Sequence, residues 1–85
     1  METAAKVNEA LAILVKMFGV WNVRYDFSKD TLGEYDCDFL HTFTFKSKDG
    51  ILHVIIMTQS DIVPLSPVEI ATNIIKEAIE IDYLQ

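Results

Sequence analysis

Asp36-Cys37-Asp38-Phe39-Leu40-His41-Thr42-Phe43-Thr44-Phe45-Lys46, followed by Ser47-Lys48-Asp49-Gly50 and then Ile51-Leu52-His53-Val54-Ile55-Ile56-Met57-Thr58, specifies a β-hairpin and both faces of its first strand. Side chains alternate across a strand. Cys37, Phe39, His41, Phe43 and Phe45 therefore share one face, and Asp36, Asp38, Leu40, Thr42, Thr44 and Lys46 the other. The aromatic face is the core face. Ser47-Lys48-Asp49-Gly50 suits a type I turn closed by Gly50 as a left-handed bulge. With Ser47 opposite Ile51, that turn puts Phe45 against His53, Phe43 against Ile55 and His41 against Met57, so both histidines point inward. The second strand of the hairpin is apolar on both sides: Leu52, Val54 and Ile56 accompany Ile51, Ile55 and Met57. A strand covered on one face alternates, so this one is expected to be covered twice or to lie against another chain.

Upstream, Val20 to Phe27 also reads with period two, Trp21, Val23, Tyr25 and Phe27 opposing Asn22, Arg24 and Asp26. This predicts a half-buried strand, with Ser28 to Tyr35 as the loop into the hairpin. Before it, residues 2–18 repeat apolar side chains at helical steps (Ala4, Val7, Leu11, Leu14, Phe18), and Gly19 stands where such a helix ends. Downstream, Ser66-Pro67-Val68-Glu69 matches a capping box with proline at the first helical position, and Leu65 and Ile70 are spaced as a hydrophobic staple. The helix it opens is expected to run to about Tyr83. Its apolar residues cover about half its circumference, wider than one core contact needs.

The reading is an α+β chain of order α-β-β-β-α, residues 1–85 forming one domain: a three-stranded antiparallel meander with N- and C-terminal helices. Both helices can share one sheet face only if the other is solvated or paired. That other face carries Leu40, Val54 and Ile56 among threonines. A symmetric homodimer through the sheet or the last helix is the economical solution, with Leu40, Val54, Ile56, Ile70, Ile74 and Ile81 as self-interface residues.

Composition narrows the function classes. The chain has 85 residues, of which 51 % are hydrophobic, and it has three glycines and two prolines. Such a chain folds, although a domain of this size buries only about 60 to 65 % of its unfolded surface. One cysteine, Cys37, rules out an intrachain disulfide and fits a reducing cytoplasm; a buried thiol is expected. The first residues carry no secretory pattern, and the apolar run Ala10 to Val15 is too short to span a bilayer. Thirteen acids against seven bases give a net charge of −6. That balance opposes direct binding to nucleic acid or anionic membrane and favours a protein partner with a basic surface.

No chemical signature stands out: the chain has no glycine-rich phosphate loop, no CxxC and no HExxH. His41 and His53 lie four residues apart in register, about 13 Å, too far to share an ion, and Cys37 is as far from His41 along its own strand. Each histidine is expected to be an imidazole bonded to a polar neighbour. Asp36 and Asp38, about 7 Å apart on one strand face, have a separation also found between glycosidase carboxylates, but they point away from the face holding His41. A small metal-dependent enzyme using these three residues is therefore the disfavoured alternative, and no cofactor or metal is expected.

Five acids, Asp26, Asp30, Glu34, Asp36 and Asp38, crowd the segment from residue 26 to 38 with one base, Lys29; Glu77, Glu80 and Asp82 form a second group at the end of the last helix, where the dipole disfavours them. Solvation alone accounts for such charges. Their functional reading is an array that imitates phosphate spacing and occupies a basic, nucleic-acid-binding surface on another protein. The leading expectation is a non-enzymatic, cytoplasmic, homodimeric regulator or inhibitor, of the kind that includes phage-borne proteins competing for a host surface. In element order, length, acidity and expected dimerisation, though in no residue motif, the chain also resembles bacterial secretion chaperones. That resemblance implies a dimeric, client-binding protein.

Overall fold

The computed structural model describes residues 2–46 and 50–84, with side chains through Glu77. Helix α1 (Thr3–Phe18) leads to strands β1 (Val23–Lys29), β2 (Phe39–Lys46) and β3 (Leu52–Thr58); a short helix α2 (Gln59–Ile62) and a long helix α3 (Pro67–Leu84) follow. The strands form one antiparallel sheet in the order β1-β2-β3. The α-β-β-β-α arrangement is as read from the sequence, with α2 as an addition.

The hairpin register also agrees: Phe45 pairs with His53, Phe43 with Ile55 and His41 with Met57. Gly50 has φ 80°, the left-handed conformation that a side chain resists; the other three turn residues, Ser47, Lys48 and Asp49, lie outside the described residues. At the start of α3, Ser66 Oγ accepts from the Glu69 amide at 3.2 Å and Glu69 Oε1 accepts from the Ser66 amide at 3.1 Å, the expected capping box.

All the helices pack on one face of the sheet. Val7, Ala10 and Leu14 from α1, Phe43 and Phe45 from β2, Ile55 from β3, Ile62 from α2, and Ile70, Ala71 and Ile74 from α3 form one buried cluster. Ile70 and Ile74, expected at a self-interface, are 0 % and 1 % exposed in a single copy. Each contributes about 1.5–3 kcal/mol by being buried there. The α3 stripe is wide because the sheet and α1 both meet it, with Leu65 and Ile75 packed at the margin. Ile81, Glu80 and Asp82 lie outside the residues whose side chains are described.

Four local expectations are corrected. Val20–Asn22 is a turn of 3-10 helix rather than strand. Gly19 adopts φ 92° and ψ 144°, the Asn22 amide bonds back to the Gly19 carbonyl at 3.0 Å, and Asn22 Nδ2 donates to the Phe18 carbonyl at 2.8 Å, which closes the end of α1. Trp21 is thereby turned into solvent, 92 % exposed, instead of into the core. The strand β2 starts at Phe39 rather than Asp36, because Asp36 and Cys37 both have φ 58° and cannot continue a pleated strand. The Cys37 thiol is consequently exposed.

Candidate functional site

One face of the sheet is left free of helices. Three cross-strand rows define it: Arg24, Thr44 and Val54; Asp26, Thr42 and Ile56; Ser28, Leu40 and Thr58. Charge sits on β1 and apolar bulk on β3. Leu52, Val54 and Ile56 are 66 %, 59 % and 38 % exposed, while Leu40 is half-buried between its neighbours. β3 is also an edge strand, and over its seven residues, Leu-His-Val-Ile-Ile-Met-Thr, it carries no proline, lysine or acid. Beside that edge, between Ile55, Ile56 and Met57 of β3 and Asn73, Lys76 and Glu77 of α3, is a cleft of about 330 Å³.

The five acids of residues 26 to 38 do not form one array. Asp30, expected in a partner-facing loop, is only 6 % exposed, and its Oδ2 accepts the amides of Tyr35 at 2.5 Å and Cys37 at 3.1 Å. Its own amide donates to the Asp38 carbonyl at 2.9 Å. An aspartate followed by residues that reach back to it in this way forces the left-handed pair Asp36 and Cys37. Burial by itself would raise the Asp30 pKa, but the amides of Tyr35, Cys37, Glu34 and Gly33 together hold it below the ordinary value. Asp38 is similarly committed to the fold. Its Oδ2 accepts the Ser60 hydroxyl at 2.7 Å and the Ser60 amide at 3.0 Å, tying the loop to α2, while Oδ1 accepts the Phe39 amide. The Ser60 hydroxyl first, then the Ser60 and Phe39 amides, lower its pKa against the opposing effect of burial. Asp26, Glu34 and Asp36 remain exposed. The acids available to a partner are those three.

The residues of the enzyme alternative do not converge. Asp36 faces solvent, Asp38 binds Ser60, and His41, 2 % exposed, has both ring nitrogens occupied. Its Nδ1 meets the Tyr25 hydroxyl at 2.6 Å and its Nε2 meets Gln59 Oε1 at 2.7 Å, and Gln59 Nε2 donates to Thr3 Oγ1 at 2.8 Å. Because Gln59 Oε1 can only accept, Nε2 carries a proton, and when the ring is neutral Nδ1 accepts from Tyr25. His53 is buried against Phe45, with ring centroids 5.1 Å apart. Among the described residues no group of three or more His, Cys, Asp or Glu side chains could hold a metal ion, and no helix is long and apolar enough to cross a membrane.

The position of Gln59 beside His41 was missed in the sequence, although a signal for it is present. Thr58-Gln59-Ser60-Asp61 is itself a capping box: Thr58 Oγ1 accepts the Asp61 amide at 3.2 Å and Asp61 Oδ2 accepts the Thr58 amide at 3.0 Å. It turns the chain into α2 immediately after β3. Comparison with protein-family models, curated proteins and solved structures gives no match to this chain.

Proposed function

We propose that this protein acts by contact rather than by catalysis, as a homodimer joined along β3 that offers Asp26, Glu34 and Asp36 to a partner with a basic surface. The observation that carries the reading is the state of β3. An unpaired edge presents a row of amides and carbonyls able to template another strand, and natural sheets blunt such edges with lysine, proline, bulges or inward charge. β3 has none of these and carries Leu52, Val54 and Ile56 on its open side. Two copies of β3 paired antiparallel about a two-fold axis would set their apolar rows about 4.8 Å apart in one six-stranded sheet and close the interface on itself.

Pairing along edges fits the distribution of polarity better than stacking of the open faces. Stacking would press Arg24, Asp26 and the threonines of β2 against their counterparts, desolvating charges that have no assigned mate. Edge pairing leaves them wet. It also sends both β1 strands, with Asp26, to the outer margins of the joined sheet, away from the interface. A protein that works in this way is a regulator or inhibitor that competes for a cationic surface.

Sedimentation velocity over a concentration series tests the reading. The wild-type chain should sediment as a dimer, Val54→Lys as a monomer, and Thr42→Lys, on the same face but in the middle strand, as a dimer. A monomeric wild type ends the proposal. Loss of the dimer in Thr42→Lys with its retention in Val54→Lys would replace edge pairing by face stacking.

A further inference from the structure

The half-buried hydrogen-bonded chain Tyr25–His41–Gln59–Thr3 borders an open cavity of about 480 Å³ at the start of α1. That size is in the range of small-molecule sites, which are apolar enclosures with a few convergent polar atoms. Here Ala4, Val7, Phe27 and Phe39 supply the apolar walls. Phe27 and Phe39 stack on each other at 5.4 Å with an interplanar angle of 14°, yet remain 52 % and 44 % exposed, so aromatic surface is left facing water where a flat molecule could cover it.

The polar side of the cavity has a direction. When the His41 ring is neutral the Tyr25 hydroxyl proton goes to Nδ1, and the Tyr25 oxygen has lone pairs to offer. Gln59 Oε1, holding one bond from His41 Nε2, has a second acceptor site as well. Thr3 and Asn8 bring donors to the other side of the lining, so it is the corner formed by Tyr25 and Gln59 that is completed by a donor. We infer that the cavity binds a small planar aromatic molecule carrying a single N–H or O–H group, with the ring against Phe27 and Phe39 and the donor on Tyr25 Oη or Gln59 Oε1. This site is on the helix-covered side of the sheet and is independent of β3 pairing.

Indole and indene make the test, being planar bicyclic compounds of nearly the same shape, one with an N–H and one without. In amide chemical-shift titrations of the full chain, indole should move the signals of Thr3, Phe27, Phe39 and Gln59 and bind about tenfold more tightly than indene, the worth of one hydrogen bond. Ala4→Phe, which fills the cavity from an exposed position on α1, should abolish binding of both. Tyr25→Phe should keep indene binding and reduce the indole preference. Equal affinities for the two compounds in the wild-type chain overturn the donor assignment, and shifts confined to residues outside the cavity overturn the site. The wild-type and Ala4→Phe measurements decide the matter even if Tyr25→Phe does not fold.

Discussion

The two edge strands of the sheet have the same length, seven residues each, and opposite surfaces. β1 turns Arg24, Asp26 and Ser28 away from the helices; β3 turns Leu52, Val54, Ile56 and Thr58 the same way. Charges interrupt the first edge and nothing interrupts the second. Within one small sheet the chain therefore protects one margin by the usual device and leaves the other bare. Among the described residues the core does not draw on that edge's open face: the buried cluster from Val7 to Ile74 forms within a single copy. Dimerisation, in this reading, is an option that a folded monomer takes up and is not a condition of its folding.

The comparison breaks most violently if the core and the bare edge are interchanged. Ile74→Asp would set a carboxylate in a site that is 1 % exposed, at a cost of several kcal/mol, and should abolish the cooperative urea transition. Val54→Asp, on the open face, should leave the melting temperature within a few degrees and remove only the dimer. Phe43→Ala, in the central strand shared by both edges, should cost about 3–5 kcal/mol in urea denaturation.

A pH series sharpens the contrast between structural and surface acids. Asp30 and Asp38 both have lowered native pKa values relative to the ordinary 3.8. A depressed native pKa means that the unfolded chain takes up protons first, so the stabilisation is fully present above about pH 4 and is lost as pH falls through the native values. Urea midpoints measured from about pH 6 to about pH 3 should therefore decline less in Asp30→Asn than in the wild type, while Glu34→Gln should follow the wild type. A charge-reversal test of partner binding should accordingly use Asp26, Glu34 and Asp36 and spare Asp30 and Asp38. The smallest effect belongs to the cap of α3: Ser66→Ala should cost about 1 kcal/mol in the same urea assay and leave the dimer intact.

What was legible in the sequence was whatever a period or a cap encodes. Period-two alternation with a four-residue turn placed Phe43 against Ile55, and Ser66 three residues before Glu69 marked the start of α3. The breadth of the α3 stripe was equally visible, but width says only that several neighbours are needed, not whether they come from the same copy; Ile70 and Ile74 find theirs in α1 and the sheet. Asp30 was unreadable for a different reason. Its carboxylate reaches amides five and seven residues ahead, a geometry that no alternation or spacing announces. Trp21 was misplaced because apolar alternation continued across a helix-ending glycine whose backbone had already redirected the chain.

Cys37 is the chain's single thiol, stands exposed, and sits on a residue whose own amide is held by Asp30. A fluorophore attached to that sulfur would ride on the loop joining β1 to β2. Its anisotropy would report release of this segment separately from melting of the whole fold, followed by far-ultraviolet dichroism. The molecule thus has a natural labelling point on one of the two non-glycine residues that, among the described residues, adopt a left-handed backbone.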